Sequence, residues 1–309
     1  MGSRSPKTDG AAALVRVRRS LLTWYQTEHR DFPWRHTTEP WAVLVSEVML
    51  QQTQAPRIAA RFPPFLERFR SPAAMANASD AEVLTAWSGL GYNRRALALR
   101  RTAATIAAHG WPRDVAGLER LPGLGPYTAR AVASLAFGQP VGVVDTNVRR
   151  WLVRRFGLPA DAPRSALQAV ADRLAQVEGA SAAWTHATME FGARICRPRA
   201  PLCEACPIAH GCPSRGIAAV VPVPRQAAFA GSERAARGAL LRELAASPRR
   251  TLSVSAARRL ASALTPVDFE RVVAGLERDG LAHRSVRRLR LGGATGVADG
   301  SAAAATIGP

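Results

Sequence analysis

Four cysteines between positions 196 and 212 are the residues whose spacing most clearly indicates a chemistry. They follow the pattern C-x6-C-x2-C-x5-C and include every cysteine of the chain: Cys196, Cys203, Cys206 and Cys212. Because a C-x2-C pair can fold back around one centre, four thiolates this close together can share a metal site. Zinc and an iron–sulfur cluster both accept four thiolates, so the spacing alone leaves the metal open.

A carboxylic acid in an apolar segment is the second candidate. Glu47 follows the apolar run 41–45 and lies in the stretch S-E-V-M-L-Q-Q-T-Q at residues 46–54. Burial raises the pKa of a carboxyl until it can hold a proton near neutral pH, which is the property that a general acid needs. The alternative is a structural glutamate paired with one of the chain's many arginines.

A glycine-bearing turn is the third candidate. Gly123 and Gly125 lie in L-P-G-L-G-P-Y-T-A, directly before the apolar helical pattern 129–137. Glycines let a backbone approach a phosphate closely, and the next helix offers unpaired N–H groups to an anion. This pattern is similar to a helix-hairpin-helix, which binds the DNA backbone without reading sequence. An ordinary turn between two helices is the alternative.

Asp145 follows this turn, in V-V-D-T-N at residues 143–147. Its position after an apolar run, where a helix begins, is typical of an N-cap. The same carboxylate can also line a cleft and act there. The sequence alone favours the cap.

Composition favours a nucleic acid partner. The 309 residues carry 42 basic and 23 acidic side chains, and a net charge of +19 points to a polyanionic partner. Because 47% of the residues are hydrophobic, the chain can also bury a core. We find no signal peptide and no apolar run able to cross a bilayer, which predicts a cytoplasmic, nucleoid-associated protein without disulfides. Uncharged side chains that can bond to base edges follow Glu47: Gln51, Gln52 and Thr53.

The elements that position these residues are predicted to be mostly helical. A helix runs from Val15 through Tyr25, and Ala- and Leu-rich helical patterns with Pro/Gly breaks follow up to the cysteines. Residues 1–12 read as a disordered leader, 216–231 as a linker and 293–309 as a disordered tail.

A small domain at residues 232–292 is predicted to be winged-helix-like. Helices are expected at 235–246 and 253–264, and Asp268 caps a third that Gly280 ends. A hairpin over 282–291 follows, crowded with arginines that suggest phosphate contacts: Arg284, Arg287, Arg288 and Arg290. A packing or partner-binding domain is the alternative.

Together these motifs resemble the helix-hairpin-helix DNA glycosylase superfamily. The cysteine spacing is similar to the [4Fe-4S] loop of its endonuclease III branch, which favours an iron–sulfur cluster over zinc. Within that branch, residues 46–54, the P-W-R at 33–35 and the G-L-G-Y at 89–92 resemble the MutY-type adenine glycosylases. The resemblance runs from about Trp24 to Cys212.

The resemblance implies a fold of two helical domains with a DNA cleft between them. Residues 36–144 are expected to form a six-helix barrel that contains the hairpin. Residues 13–35 and 145–215 are expected to form the iron–sulfur cluster domain. Two departures from the family's pattern stand out: Asn93 replaces a frequent second tyrosine, and residues after Cys212 resemble a winged helix rather than a Nudix-like domain.

Residue roles follow from the same resemblance. Glu47 matches the catalytic acid, Asp145 the carboxylate after the hairpin, Tyr127 the tyrosine of monofunctional members and Asn147 a residue beside the reacting sugar. Gln52 and Tyr92 match residues that enter the base stack. The other positions expected to contact DNA are Arg35, Gln51, Thr53, Leu90, Gly123 and Gly125.

The implied activity is removal of adenine opposite 8-oxoguanine or guanine from double-stranded DNA, by a monomer. Strand cleavage through a lysine Schiff base is not expected, because Lys7 in the leader is the chain's one lysine. Two other functions are compatible with the motifs. One is a thymine or uracil mismatch glycosylase, and the other is a non-catalytic DNA-binding regulator.

Overall fold

The computed structural model describes residues 10–178, 182–217, 228–264, 266 and 268–293. Most of the predicted leader and tail and the middle of the predicted linker lie outside these ranges. Within them, no helix combines the length and apolar character needed to cross a membrane.

The fold is mostly α-helical, as predicted. The helices are α1 Ala11–Glu28, α2 Pro40–Leu50, α3 Ala55–Ala59, α4 Phe62–Arg68, α5 Pro72–Ala76, α6 Asp80–Ala86, α7 Arg94–His109, α8 Val115–Glu119, α9 Pro126–Leu135, α10 Thr146–Phe156, α11 Arg164–Gln176, α12 Ala182–Arg194, α13 Glu233–Ala246, α14 Val254–Leu264 and α15 Phe269–Arg278, with a 3-10 turn at Pro33–His36. The strands are β1 Thr251–Ser253, β2 Ala282–Arg284 and β3 Arg288–Leu291. Contacts divide the chain into two compact units, one of residues 1–77 and 98–226 and one of 78–97 and 227–309.

The first unit has a core in which α1 packs with later helices. Leu14, Val17 and Leu21 recur at helical spacing and are buried against apolar side chains of α10, α11 and α12. Ile208 of the cysteine segment joins the same core. The helix begins at Ala11, so the last two residues of the expected leader form its first turn.

Helix α2 is buried along nearly its whole length, from Trp41 to Met49. Glu39 caps it, because its carboxylate accepts hydrogen bonds from the backbone N–H groups of Trp41 and Ala42. Such a helix needs no polar face, since protein surrounds it on all sides. Glu47 is therefore carried into the interior by the apolar residues on either side of it.

The C-terminal part of the second unit has the order helix, strand, helix, helix, strand, strand, as in a winged helix. Its three strands lie in the order β1-β3-β2, with both neighbours of β3 antiparallel to it. The predicted helices and hairpin are present, and the Asp268 carboxylate caps α15 by accepting from the Glu270 backbone N–H. Strand β1 was not predicted, because three residues are too short to show an alternating pattern and their partner is distant in sequence.

Residues 78–97 cluster with the C-terminal residues, whereas the family resemblance places them in the six-helix barrel. Gly292 packs against Asp80 and Ala81, where an added Cβ would lie 3.4 Å from both residues. Arg94 and Asp279 form an ion pair at 3.7 Å. The extent of the barrel therefore stays a prediction.

Candidate active site

The buried carboxyl of Glu47 meets the hydroxyl of Tyr127. Helix α2 supplies Glu47, which is 3% exposed, and the first turn of α9 supplies Tyr127, just after the glycine turn. The Tyr127 Oη donates a hydrogen bond to Glu47 Oε2 at 3.0 Å. Burial raises the pKa of Glu47 to about 7; the nearby charge of Asp145 adds to this rise, and the hydrogen bond from Tyr127 opposes it. Glu47 can therefore hold or release a proton at neutral pH.

Asp145 is both a helix cap and part of this site. Its Oδ1 accepts the backbone N–H of Val148 at 2.6 Å, which caps α10. Its Oδ2 accepts Asn147 Nδ2 at 2.8 Å. Burial raises the pKa of Asp145, and these hydrogen bonds and the charge of Arg150 oppose that rise. The cap that the sequence favours is therefore present, and the role of Asp145 as an acting carboxylate stays a prediction.

The Tyr127 hydroxyl lies close enough to both carboxyls for their charges to raise its pKa. Burial raises its pKa well above 10, and the charges of Glu47 and Asp145 raise it further. Tyr127 is therefore a neutral phenol that donates its proton in a hydrogen bond. Its Oη also lies 3.9 Å from Sδ of Met189, a neighbour that the sequence did not indicate.

The glutamine segment leaves α2 beside this site. Gln51 Nε2 donates a hydrogen bond to Thr128 Oγ1 at 3.1 Å. The backbone N–H of Thr53 donates a hydrogen bond to the Leu50 carbonyl oxygen at 3.2 Å, which closes the turn after α2. Gln52 is exposed and has a left-handed backbone with φ 56°. Non-glycine residues adopt this conformation at a cost, and such positions concentrate at functional sites.

The turn between α8 and α9 shows a different reason for each glycine. Gly123 has φ 80°, and an added Cβ would lie 2.7 Å from the Cβ of Ala98, so the fold itself requires glycine there. Gly125 has an ordinary φ of −94°, and an added Cβ would meet nothing within 4 Å. A side chain at position 125 would therefore extend into open space at the start of α9, so packing does not require glycine there.

Leu90 and Tyr92 belong to the second unit. Leu90 is only 4% exposed, so its side chain is buried in the structure. Tyr92 is 40% exposed and, like Gln52, has a left-handed backbone, with φ 47°. The guanidinium of Arg95 lies 5.1 Å from the centre of the Tyr92 ring.

Arg35 was expected to contact DNA, but the structure places it in a buried ion pair. Its Nη2 lies 2.7 Å from Oε2 of Glu190, and 8% of its side chain is exposed. Arg30 binds the same carboxylate. Burial alone would raise the pKa of Glu190, but the hydrogen bonds from both arginines outweigh it and lower the pKa to about 2. We therefore assign Arg35 to holding Glu190, a partner that its sequence neighbours do not reveal.

The four cysteines line one cavity, together with side chains of α10 and α12. Arg154 Nη1 approaches Cys196 Sγ at 3.6 Å, and the backbone N–H of Gly216 donates to Cys203 Sγ at 3.4 Å. No group of three or more His, Cys, Asp or Glu side chains suited to a metal ion is found in the part of the chain that the structure describes. The structure thus brings the four cysteines to one cavity, with hydrogen-bond donors beside the sulfur atoms of Cys196 and Cys203.

Arg150 joins this loop to the catalytic candidates. It is 4% exposed, and its guanidinium donates to Cys196 O at 2.7 Å and to Asn147 Oδ1 at 3.0 Å. Gly192 O accepts from it as well, at 2.5 Å. An added Cβ at Gly192 would lie 2.7 Å from the Asn147 carbonyl oxygen, so α12 and α10 touch here. Sequence spacing gave no signal for this contact between distant segments.

Comparison with known sequences adds to this geometry. Residues 45–176, which contain Glu47, Tyr127 and Asp145, match the family described as HhH-GPD superfamily base excision DNA repair protein. The adenine DNA glycosylase of Mycobacterium tuberculosis H37Rv is 45% identical over 236 residues, which cover 72% of this chain and 76% of that protein. The adenine DNA glycosylase of Mycolicibacterium smegmatis is 44% identical, covering 72% and 78%. The human adenine DNA glycosylase is 40% identical, covering 66% and 40%.

Solved structures agree on the fold. A thermostable thymine-DNA glycosylase superposes with a TM-score of 0.62 at 29% identity and covers 67% of this chain and 99% of that chain. A trapped endonuclease III–DNA covalent intermediate superposes with a TM-score of 0.57 at 23% identity, covering 67% and 97%. With two mycobacterial relatives matched over 76% and 78% of their length, the chain belongs to the HhH-GPD superfamily of base excision DNA repair proteins and, within it, to the adenine DNA glycosylases.

Proposed function

We propose that this protein removes adenine from double-stranded DNA where adenine is mispaired with 8-oxoguanine or guanine. The observation that carries this proposal is the buried Glu47 carboxyl, which has a pKa of about 7. This carboxyl accepts a hydrogen bond from Tyr127, and the charge of Asp145 raises its pKa. Relatives at 40–45% identity are adenine DNA glycosylases, which supports adenine as the base.

The chemistry follows from two carboxyls with different surroundings. An adenine must leave the base stack to be reached, which costs least at a mispair. Glu47 donates its proton to N7 of the adenine, so the base leaves neutral while the bond from C1′ to N9 breaks. Asp145 stabilises the positive charge that develops on the sugar, and Asn147 fixes the orientation of that carboxylate. Water then adds to C1′ and gives its proton to the Glu47 carboxylate that the first step produced, as in glycoside hydrolysis by paired carboxyls.

The product is an intact strand with an abasic site. Tyr127 is a neutral phenol beside Glu47, and a phenol of this kind cannot form a Schiff base with the sugar. Lys7 is the chain's one lysine. Glycosylase chemistry without strand cleavage is therefore the activity that these side chains support.

DNA contacts are proposed from exposure and backbone conformation. Gly125 offers an uncovered N-terminal turn of α9 to a phosphate. The side chains of Gln52 and Tyr92 are exposed, and both residues have a left-handed backbone conformation. Strained backbone of this kind concentrates at functional sites, as we expect for side chains that enter the base stack. Gln51 and Thr53 flank Gln52 and are proposed to keep it in place.

We propose that Cys196, Cys203, Cys206 and Cys212 hold a [4Fe-4S] cluster. The cavity that they share and the hydrogen-bond donors near two of the sulfurs support this assignment. When bound, the cluster supplies a rigid covalent centre for the loop and takes no part in breaking the glycosidic bond. Arg150 connects the backbone of that loop to Asn147 and so helps to hold Asp145.

The substrate assignment is tested with a panel of duplexes. We expect the full chain to make alkali-sensitive sites at adenine in A·8-oxoguanine and A·G duplexes and to leave these strands intact before alkali is added. G·T and G·U duplexes should stay uncut after alkali. Breaks at thymine or uracil would identify a mismatch glycosylase of the other specificity, and no breaks in any duplex would identify a non-catalytic DNA-binding protein.

The proton donor is tested by Glu47→Gln. The amide keeps an acceptor for the Tyr127 hydroxyl but carries no acidic proton, so single-turnover excision should fall by about 10²- to 10⁴-fold with duplex binding unchanged. Glu67→Gln, an exposed carboxyl on α4, is the matched control and should match the parent. Near-parental excision by Glu47→Gln would exclude Glu47 as the acid.

The pH profile tests the raised pKa. Glu47 acts as an acid only when protonated, so excision should be fastest below pH 7 and fall as pH rises through about 7. Tyr127→Phe removes a hydrogen bond that lowers the pKa of Glu47, so the midpoint of this fall should move to higher pH. A single-turnover rate that stays flat through neutral pH in the parent contradicts the assignment.

The metal assignment is tested by composition. Purified protein should be brown and hold about four irons per chain, and Cys206→Ser should lower the iron content and the unfolding temperature. A colourless, active protein with one zinc per chain would show that the loop is a zinc site.

A further inference from the structure

We propose that the outer face of the three-stranded sheet in the second unit is a separate binding surface for the phosphate backbone of duplex DNA. The surface consists of Arg288 and Arg290 on β3, His283 beside them on β2, and Arg287 in the turn that connects these strands. This inference goes beyond the excision activity, because no residue of the surface takes part in it.

The strand pattern places the arginines on one face. Along β3, Leu289 and Leu291 are buried at 0% and 3% exposure, while Arg288 and Arg290 are exposed. Side chains alternate between the two faces of a strand, so the two arginines share the solvent face about 7 Å apart along the strand. The register places His283 opposite Arg290 on that face.

The charges of this unit are segregated. Three of its carboxylates are paired with arginines outside β3: Glu270 with Arg258 and Arg284, Glu233 with Arg271, and Asp279 with Arg237. Among the residues that the structure describes, no carboxylate forms an ion pair with Arg287, Arg288 or Arg290, and Arg288 donates instead to Thr251 Oγ1. The unit therefore presents uncompensated positive charge on its sheet.

The ion pairs between arginines and carboxylates also indicate how the second unit would bind DNA. Arg284 was expected to join the phosphate contacts, but the structure holds it on Glu270 at 2.5 Å. On helix α15, Glu270 and Arg271 are both held in ion pairs and so are not available to bond to base edges. Contact with phosphates, which carries no sequence information, is the mode that the sheet arginines without a described carboxylate partner support.

Two observations favour duplex DNA as the occupant. The same compact unit carries Tyr92, the exposed side chain proposed to enter the base stack, so this unit already meets DNA if that proposal holds. Val286, at the tip of the turn next to Arg287, is 96% exposed. An apolar tip beside arginines is suited to the wall of a groove, where sugars and phosphates alternate.

The test measures binding of the full chain to an undamaged duplex at several salt concentrations. Each phosphate contact contributes about 0.9 to the slope of log affinity against log salt. Arg288→Gln with Arg290→Gln should therefore lower affinity and reduce the slope by about 1.8. Arg258→Gln with Arg271→Gln removes the same charge from ion-paired sites and should leave the slope unchanged. Arg288→Lys with Arg290→Lys should keep the parental slope.

The outcomes separate this proposal from the excision activity, because the duplex contains no substrate base. Single-turnover excision at saturating protein should be the same in the parent and the glutamine double variant. An unchanged slope in the sheet variant, or an equal loss in the ion-paired control, overturns the proposal. The proposal is also overturned if the Arg288→Gln with Arg290→Gln variant binds duplex DNA like the parent but loses binding to a single-stranded RNA or to an acidic protein. The surface would then serve another partner.

Discussion

The Glu47 carboxyl is held inside an apolar helix, and most of the site is arranged around that one burial. A carboxylate costs several kcal/mol to remove from water, so a group in this position stays protonated to a higher pH than usual. Tyr127 supplies a single hydrogen bond, and the charge of Asp145 makes ionisation of Glu47 still less favourable. The balance leaves the pKa of Glu47 at about 7, where a proton can be both held and given.

Local interactions at the starts of three helices position the residues of the site. Glu39 caps α2, the open turn at Gly125 begins α9, and Asp145 caps α10. One carboxylate, Asp145, both caps the start of α10 and contributes a charge that raises the pKa of Glu47. Helix α12 joins these parts, because Met189 touches Tyr127, Glu190 binds Arg35, and Gly192 lies against Asn147.

Much of this could be predicted from the sequence, because the signals are local. The apolar run 41–45 before Glu47 indicated burial, the glycines before α9 indicated a turn, and Asp268 and Gly280 marked the ends of α15. Features that depend on distant partners could not be predicted. Nothing near Arg35 indicates that Glu190 binds it, and a three-residue strand such as β1 is defined only by its pairing with β3. The clustering of residues 78–97 with the C-terminal residues is likewise a property of contacts rather than of local pattern.

Burial sets the proton affinity of Glu47, and a titration of that carboxyl in the folded protein tests this most directly. Infrared or carbon-13 NMR difference spectra between the parent and Glu47→Gln isolate the signal of this one group. We expect a midpoint near pH 7 that falls in Asp145→Asn, because the neighbouring charge is removed. A midpoint near the ordinary glutamate value of 4.5 in the parent would contradict it.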